Sequence, residues 1–134
     1  IVVAIIGIIA AIAIPNLLNA IDRGKQKRTM ADLRSIGTAI ESYAIDNVSY
    51  PTAGTNLASL TAVLEPLYLR QAPTNDGWNR TFSVACAATE YTVCSGGKDG
   101  GACVNDAGGT TTSFNDSITF ANGQFVQWPE GAQQ

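Results

Sequence analysis

Three cysteines, Cys86, Cys94 and Cys103, crowd into residues 86–103, and the 134-residue chain has no histidine at all. Thiols this close together suit zinc or a structural bridge. Zinc wants four ligands, and neither a histidine nor a fourth cysteine is there to complete the set. One disulfide with one thiol left over fits a small exported domain. Three unpaired small hydrophobes are the alternative, and chemistry alone does not choose the pair. The missing histidine also removes Ser-His-Asp and Cys-His nucleophilic arrangements, and neither a P-loop nor a dinucleotide glycine fingerprint is present. Catalysis would fall to carboxylates, lysine or serine alone, so no enzymatic activity is predicted.

The elements that must position these residues begin with a hydrophobic helix. Residues 1–14 are all apolar or glycine, and Pro15 follows. A bilayer-spanning helix takes roughly 20 apolar residues. The run is therefore expected either to pack inside an assembly or to lack its first natural residues. Residues 1–47 read as one long helix, kinked or locally melted near Gly7–Ile14, because Pro15 removes a backbone hydrogen bond and crowds the preceding turn. Beyond the apolar half, Met30, Leu33, Ile36 or Gly37, Ile40 and Tyr43/Ala44 recur at helical spacing, a stripe to be packed on the chain's own domain. Asp22, Arg23, Lys25, Lys27, Arg28, Asp32, Arg34 and Glu41 are assigned to the remaining faces.

Pro51 ends the long helix, since the residue before proline avoids the α region. Leu57, Leu60, Val63, Leu64 and Leu67 predict a short second helix capped by Thr55 or Asn56. Thr81–Cys86 with Glu90–Cys94, and Ser117–Phe120 with Gln124–Trp128, predict two hairpins, the second turning at Asn122-Gly123. Residues 95–113 read as a glycine-rich loop. The predicted fold class is α+β: a long N-terminal helix packed on a small antiparallel sheet. Two regions follow, a hydrophobic helix over 1–25 and a globular head over 26–134.

Charge excludes one class of partner. Net charge is −3, with five cations against four acids in residues 1–50 and three against seven thereafter. No basic face with interleaved aromatics exists, so nucleic acid is not predicted. The cations Arg23, Lys25, Lys27 and Arg28 fall where stem meets head and read as a solvated face, with acids of a neighbouring head as a further possible partner.

The run Ile1–Asn16 closely resembles the N-terminal helix of type IV pilins and type II secretion pseudopilins. Ser49-Tyr50-Pro51-Thr52, Leu67-Tyr68-Leu69, Ala72–Arg80 and Tyr91–Gly100 are similar in order to the head motifs of G-type major pseudopilins. Matched on Pro15, the chain lacks roughly the first seven mature residues of that pattern. It departs from the pattern at Asp76-Gly77-Trp78, which lacks the proline after the aspartate, and in its cysteines.

The resemblance implies a structural subunit, either of a type IV pilus-like filament or of a type II secretion pseudopilus. The filament core would be made by Ile1, Val2, Val3, Ile5, Ile6, Ile8, Ile9, Ile12, Ile14, Pro15, Leu17 and Leu18. It further implies residence in the bacterial inner membrane before assembly and then a periplasmic or cell-surface filament. The implied partners are further copies of the chain, a prepilin peptidase and the assembly machinery. A membrane-anchored monomeric binding module or a minor pilin-like adhesin is the alternative. Calcium is the implied metal: Asp99 and Asp116 match the family's loop carboxylates, with Gly96 offering a carbonyl and Asn105 or Asp106 a further side-chain oxygen. The competing account is a polar loop whose neck is closed by Cys94–Cys103 instead of a metal.

Overall fold

A computed structural model of the chain describes residues 1–103 and 108–133. Helix α1 runs over Val2–Asn47, 46 residues with Pro15 inside it, about 69 Å at 1.5 Å per residue. The expected melting near Gly7–Ile14 does not occur: the helix is unbroken through the proline. There Pro15 costs one intrahelical bond and leaves the Ala11 carbonyl without its usual donor. The helix stops at Val48, which adopts the left-handed region at φ 60°, a strained setting for a β-branched residue. Asn56 caps α2 (Leu57–Leu64), its Oδ1 accepting from Ala58 N at 2.9 Å and Ser59 N at 3.3 Å.

Five strands follow: β1 Ser83–Cys86, β2 Tyr91–Ser95, β3 Gly109–Thr111, β4 Ile118–Ala121 and β5 Gln124–Pro129. They form one sheet in the order β1-β2-β4-β5-β3. Both predicted hairpins are present. Asn122 (φ 48°) and Gly123 (φ 84°) make the tight turn of the second, the pattern that fits the twist of paired strands. The expected all-antiparallel sheet needs one correction. β3 lies inside the predicted loop and runs parallel to β5, Thr110 facing Trp128.

The second half of α1 lies across β2 and β4. Leu33, Ile36 and Ile40 meet Leu60 and Leu64 from α2 and Val84, Tyr91, Val93, Ile118 and Phe120 from the sheet. Gly37 permits this approach, because a Cβ there would overlap the Phe120 ring. The fully buried Tyr91 hydroxyl accepts from Gly123 N at 3.0 Å and donates to the Gly37 carbonyl at 3.5 Å, tying sheet to helix. Burial pushes its phenol well above the ordinary range, so it stays neutral.

Cys86 is the free thiol, buried on β1, and burial raises it to about 11. Iodoacetamide at about pH 8 should therefore leave the native chain unmodified and label it once after denaturation without reductant. Labelling of the native chain would contradict this placement, and mass spectrometry reads it directly.

Candidate functional site

Two regions hold the residues singled out from the sequence: the bare half of α1 and the glycine loop between β2 and β4. The first is defined by what it does not touch. Ile5, Ile8, Ile9, Ile12, Leu17 and Leu18 are each more than half exposed, as are Ile1, Val2, Val3, Ile6 and Ile14, and Pro15 is exposed with them. An apolar 18-residue window in this helix has mean hydropathy 2.3, and none of it is buried. The uncharged stretch extends past Pro15 to Ile21, about 30 Å of helix and so the thickness of a bilayer's hydrocarbon core. The expectation of a run too short to span came from stopping the count at the proline. An exposed patch of this size on one protomer marks an interface or a membrane contact.

At Asp22 the helix changes environment abruptly. Asp22 Oδ2 pairs with Lys98 Nζ at 2.8 Å, and Oδ1 accepts from Trp78 Nε1 at 3.2 Å. Two turns on, Thr29 Oγ1 accepts from Gly77 N at 2.9 Å. Gly77 lies flat on the helix backbone, where a Cβ would stand 2.8 Å from Lys25 Cα. Asp76 holds this loop in shape: its Oδ1 accepts from Trp78 N and Arg80 N, both at 2.9 Å, while Oδ2 accepts from Ser95 Oγ at 2.6 Å. On the other flank, Gln133 Nε2 donates to Thr111 O at 2.7 Å and Glu130 O at 3.0 Å, and Gln26 Nε2 reaches Gln133 Oε1 at 3.4 Å.

The apolar pattern does not announce this junction, since it assigns Asp22 to a face away from the core, whereas the structure buries it. Asp22, Gln26 and Thr29 in fact continue the buried stripe of Leu33, Ile36 and Ile40 downward. The signal was available as spacing, since 22, 26, 29, 33, 36 and 40 keep helical period. Their polarity hid it, because periodicity is sought in apolar residues.

In the glycine loop Cys94 and Cys103 form a disulfide. Asp99 Oδ1 accepts from Gly101 N at 2.9 Å, and the Gly96 carbonyl accepts from Gly101 N at 3.1 Å. Asp116 Oδ2 accepts from Ser113 N at 3.0 Å and Thr112 N at 3.2 Å. One carboxylate oxygen of each aspartate and the Gly96 carbonyl are thus bonded within the loop itself. No group of three or more His, Cys, Asp or Glu suited to a metal occurs among the described residues. Asn105 and Asp106 lie outside them.

Comparison with known proteins adds the following. The profile of the family described as "Type II secretion system (T2SS), protein G" matches residues 16–113. A protein named "Type II secretion system core protein G" from Pseudomonas aeruginosa is 30% identical over 122 residues, covering 80% of this chain and 84% of its own length. The protein of the same name from Escherichia coli is 28% identical over 112 residues, covering 75% and 77%. That of Vibrio cholerae is 26% identical over 115 residues, covering 75% and 78%.

Proposed function

The chain belongs to the type II secretion system protein G family, and on that premise we propose that it is the major structural subunit of a pseudopilus. Copies assemble through the apolar half of α1 with their heads outward. The observation that carries this reading is the division of one helix into two environments: Ile1–Ile21 packs on nothing in its own protomer, whereas Asp22–Ile40 is clamped into the head. Burying a full helix surface at about 25 cal/mol per Å² drives association, and a lone copy cannot obtain that burial. We place the working division of the chain at about residue 25, just beyond the first head contacts. The inner membrane holds the helix before assembly and sister helices hold it afterwards, with the secretion machinery moving it from one to the other. Negative-stain microscopy of purified protein tests the proposal. Filaments support it; dispersed particles that never associate through the N-terminal half would overturn it.

For the glycine loop we propose closure by the Cys94–Cys103 bridge and the loop's own hydrogen bonds. A bridge closing so short a loop contributes about 2.5 kcal/mol on the chain-entropy estimate. Reductant should therefore lower the melting temperature by roughly 10 °C for a domain of this size, and EDTA should leave it unchanged. A clear fall with EDTA would favour calcium in this loop instead, with Asp106 joining Asp99, Asp116 and Gly96.

A further inference from the structure

We propose that the cations at the foot of the head form a collar for anionic phospholipid headgroups, seated in the groove between α1 and the segment after β5. This rests on the reading that α1 is inserted in a membrane before assembly. Position is the first argument. Residues 1–21 carry no charged side chain and the first charges of the helix fall at 22–28, so Arg23, Lys25, Lys27 and Arg28 stand where the stem leaves the hydrocarbon for the headgroups.

Direction is the second argument. At 100° per residue, Asp22, Gln26 and Thr29 face the head and are buried, and the four cations fall on the remaining sides. Arg23, Lys27 and Arg28 are exposed and Lys25 is half-buried. A collar of this kind suits a surface that surrounds the helix better than a partner on one side.

Local charge is the third argument. Asp22 is already held by Lys98 and Trp78, and Asp32 pairs with Arg28 at 3.6 Å. Arg23, Lys25 and Lys27 have no carboxylate within 4.0 Å among the described residues. Arg23 and Lys27, one turn apart, flank a groove of about 360 Å³ closed by Gln26 and by Pro129, Glu130, Gly131 and Gln133. Glu130 stands on its rim, and two cations against one carboxylate leave the groove positive. A phosphodiester fits that balance, since each cation held at an anionic surface favours it roughly fivefold.

Trp78, bonded to Asp22, reports on this level of the stem. The test uses the chain with Trp128→Phe, leaving Trp78 as the single tryptophan, in phosphatidylcholine vesicles containing phosphatidylglycerol. Either lipid is brominated on its acyl chains near the headgroup, at matched mole fraction. Brominated phosphatidylglycerol should quench Trp78 several-fold more per lipid than brominated phosphatidylcholine. Arg23→Gln with Lys27→Gln, both at exposed positions, should erase the difference, and salt should weaken it in the unaltered collar. Should Trp128→Phe fail to fold, native mass spectrometry of the wild-type chain with the two lipids reads the same preference. Equal quenching by both lipids overturns the collar. If that equality accompanies a salt-sensitive association of copies, the cations serve a second copy. Loss of the preference to inorganic phosphate, beyond a chloride control of equal ionic strength, would make the groove a free-anion site and overturn the lipid assignment. Absence of quenching by either lipid would instead remove the insertion reading beneath it.

Discussion

Chains carrying Ile9→Asp are expected to form no filaments while their heads melt at the wild-type temperature. Ile9 is 61% exposed in the protomer, so the substitution removes no contact from the head. In the shared apolar core or in lipid, the same position is surrounded by hydrocarbon. A carboxylate at the centre of such a helix costs about 3 kcal/mol, a factor of roughly 100 against burying this face from water. The cost recurs at every copy, so a polymer feels it more steeply than a dimer would. Ile9→Leu keeps the chemistry and should assemble normally. Microscopy read beside a thermal melt checks the pair of outcomes; filaments of ordinary length from Ile9→Asp would contradict the assembly role of this face.

Leu33→Ala should produce the converse, a weakened head on an unchanged stem. Leu33 is fully buried where α1 crosses the sheet, in one cluster with Ile36, Leu60 and Val93. Truncating a buried leucine costs about 2–5 kcal/mol, the spread depending on how far the site collapses. For a domain of this size that is roughly 10–20 °C of melting temperature. Neighbours in the core are already well packed, and Gly37 is held against Phe120, which leaves little room for collapse. A value in the upper half of the range is expected by calorimetry in detergent. A shift below about 4 °C, the effect of a single kcal/mol, would mean that stem and sheet are not packed as described.

The long helix and both hairpins were legible because their signals are local. An apolar run, a helical stripe and an Asn-Gly turn need only a few neighbouring residues to be read. What escaped depends on residues far away in the chain. Asp22 is buried because Trp78 and Lys98 arrive to satisfy it, 56 and 76 positions later. No feature near Asp22 announces that. β3 escaped because Gly109-Thr110-Thr111 has little apolar content. Its parallel pairing with β5 needs a long crossover that local pattern does not specify. The loop candidates show the limit from the other side. Asp99, Gly96 and Asp116 carry the right atoms for a cation, but backbone N–H groups reach one oxygen of each from two to five residues away, and local sequence does not specify that competition.

The strap at Gln133 carries a consequence for how the molecule is made. Gln26 waits for a partner 107 positions further on, and the sheet that covers α1 takes its fourth and fifth strands from residues after 117. Synthesis proceeds from the N-terminus at about 5–20 residues per second, so the stem is complete seconds before its head can close. Contacts of such large sequence separation also form slowly. During that interval Leu33, Ile36 and Ile40 are uncovered, so the apolar stripe that will become the middle of the core is the part of the new chain most open to wrong contacts.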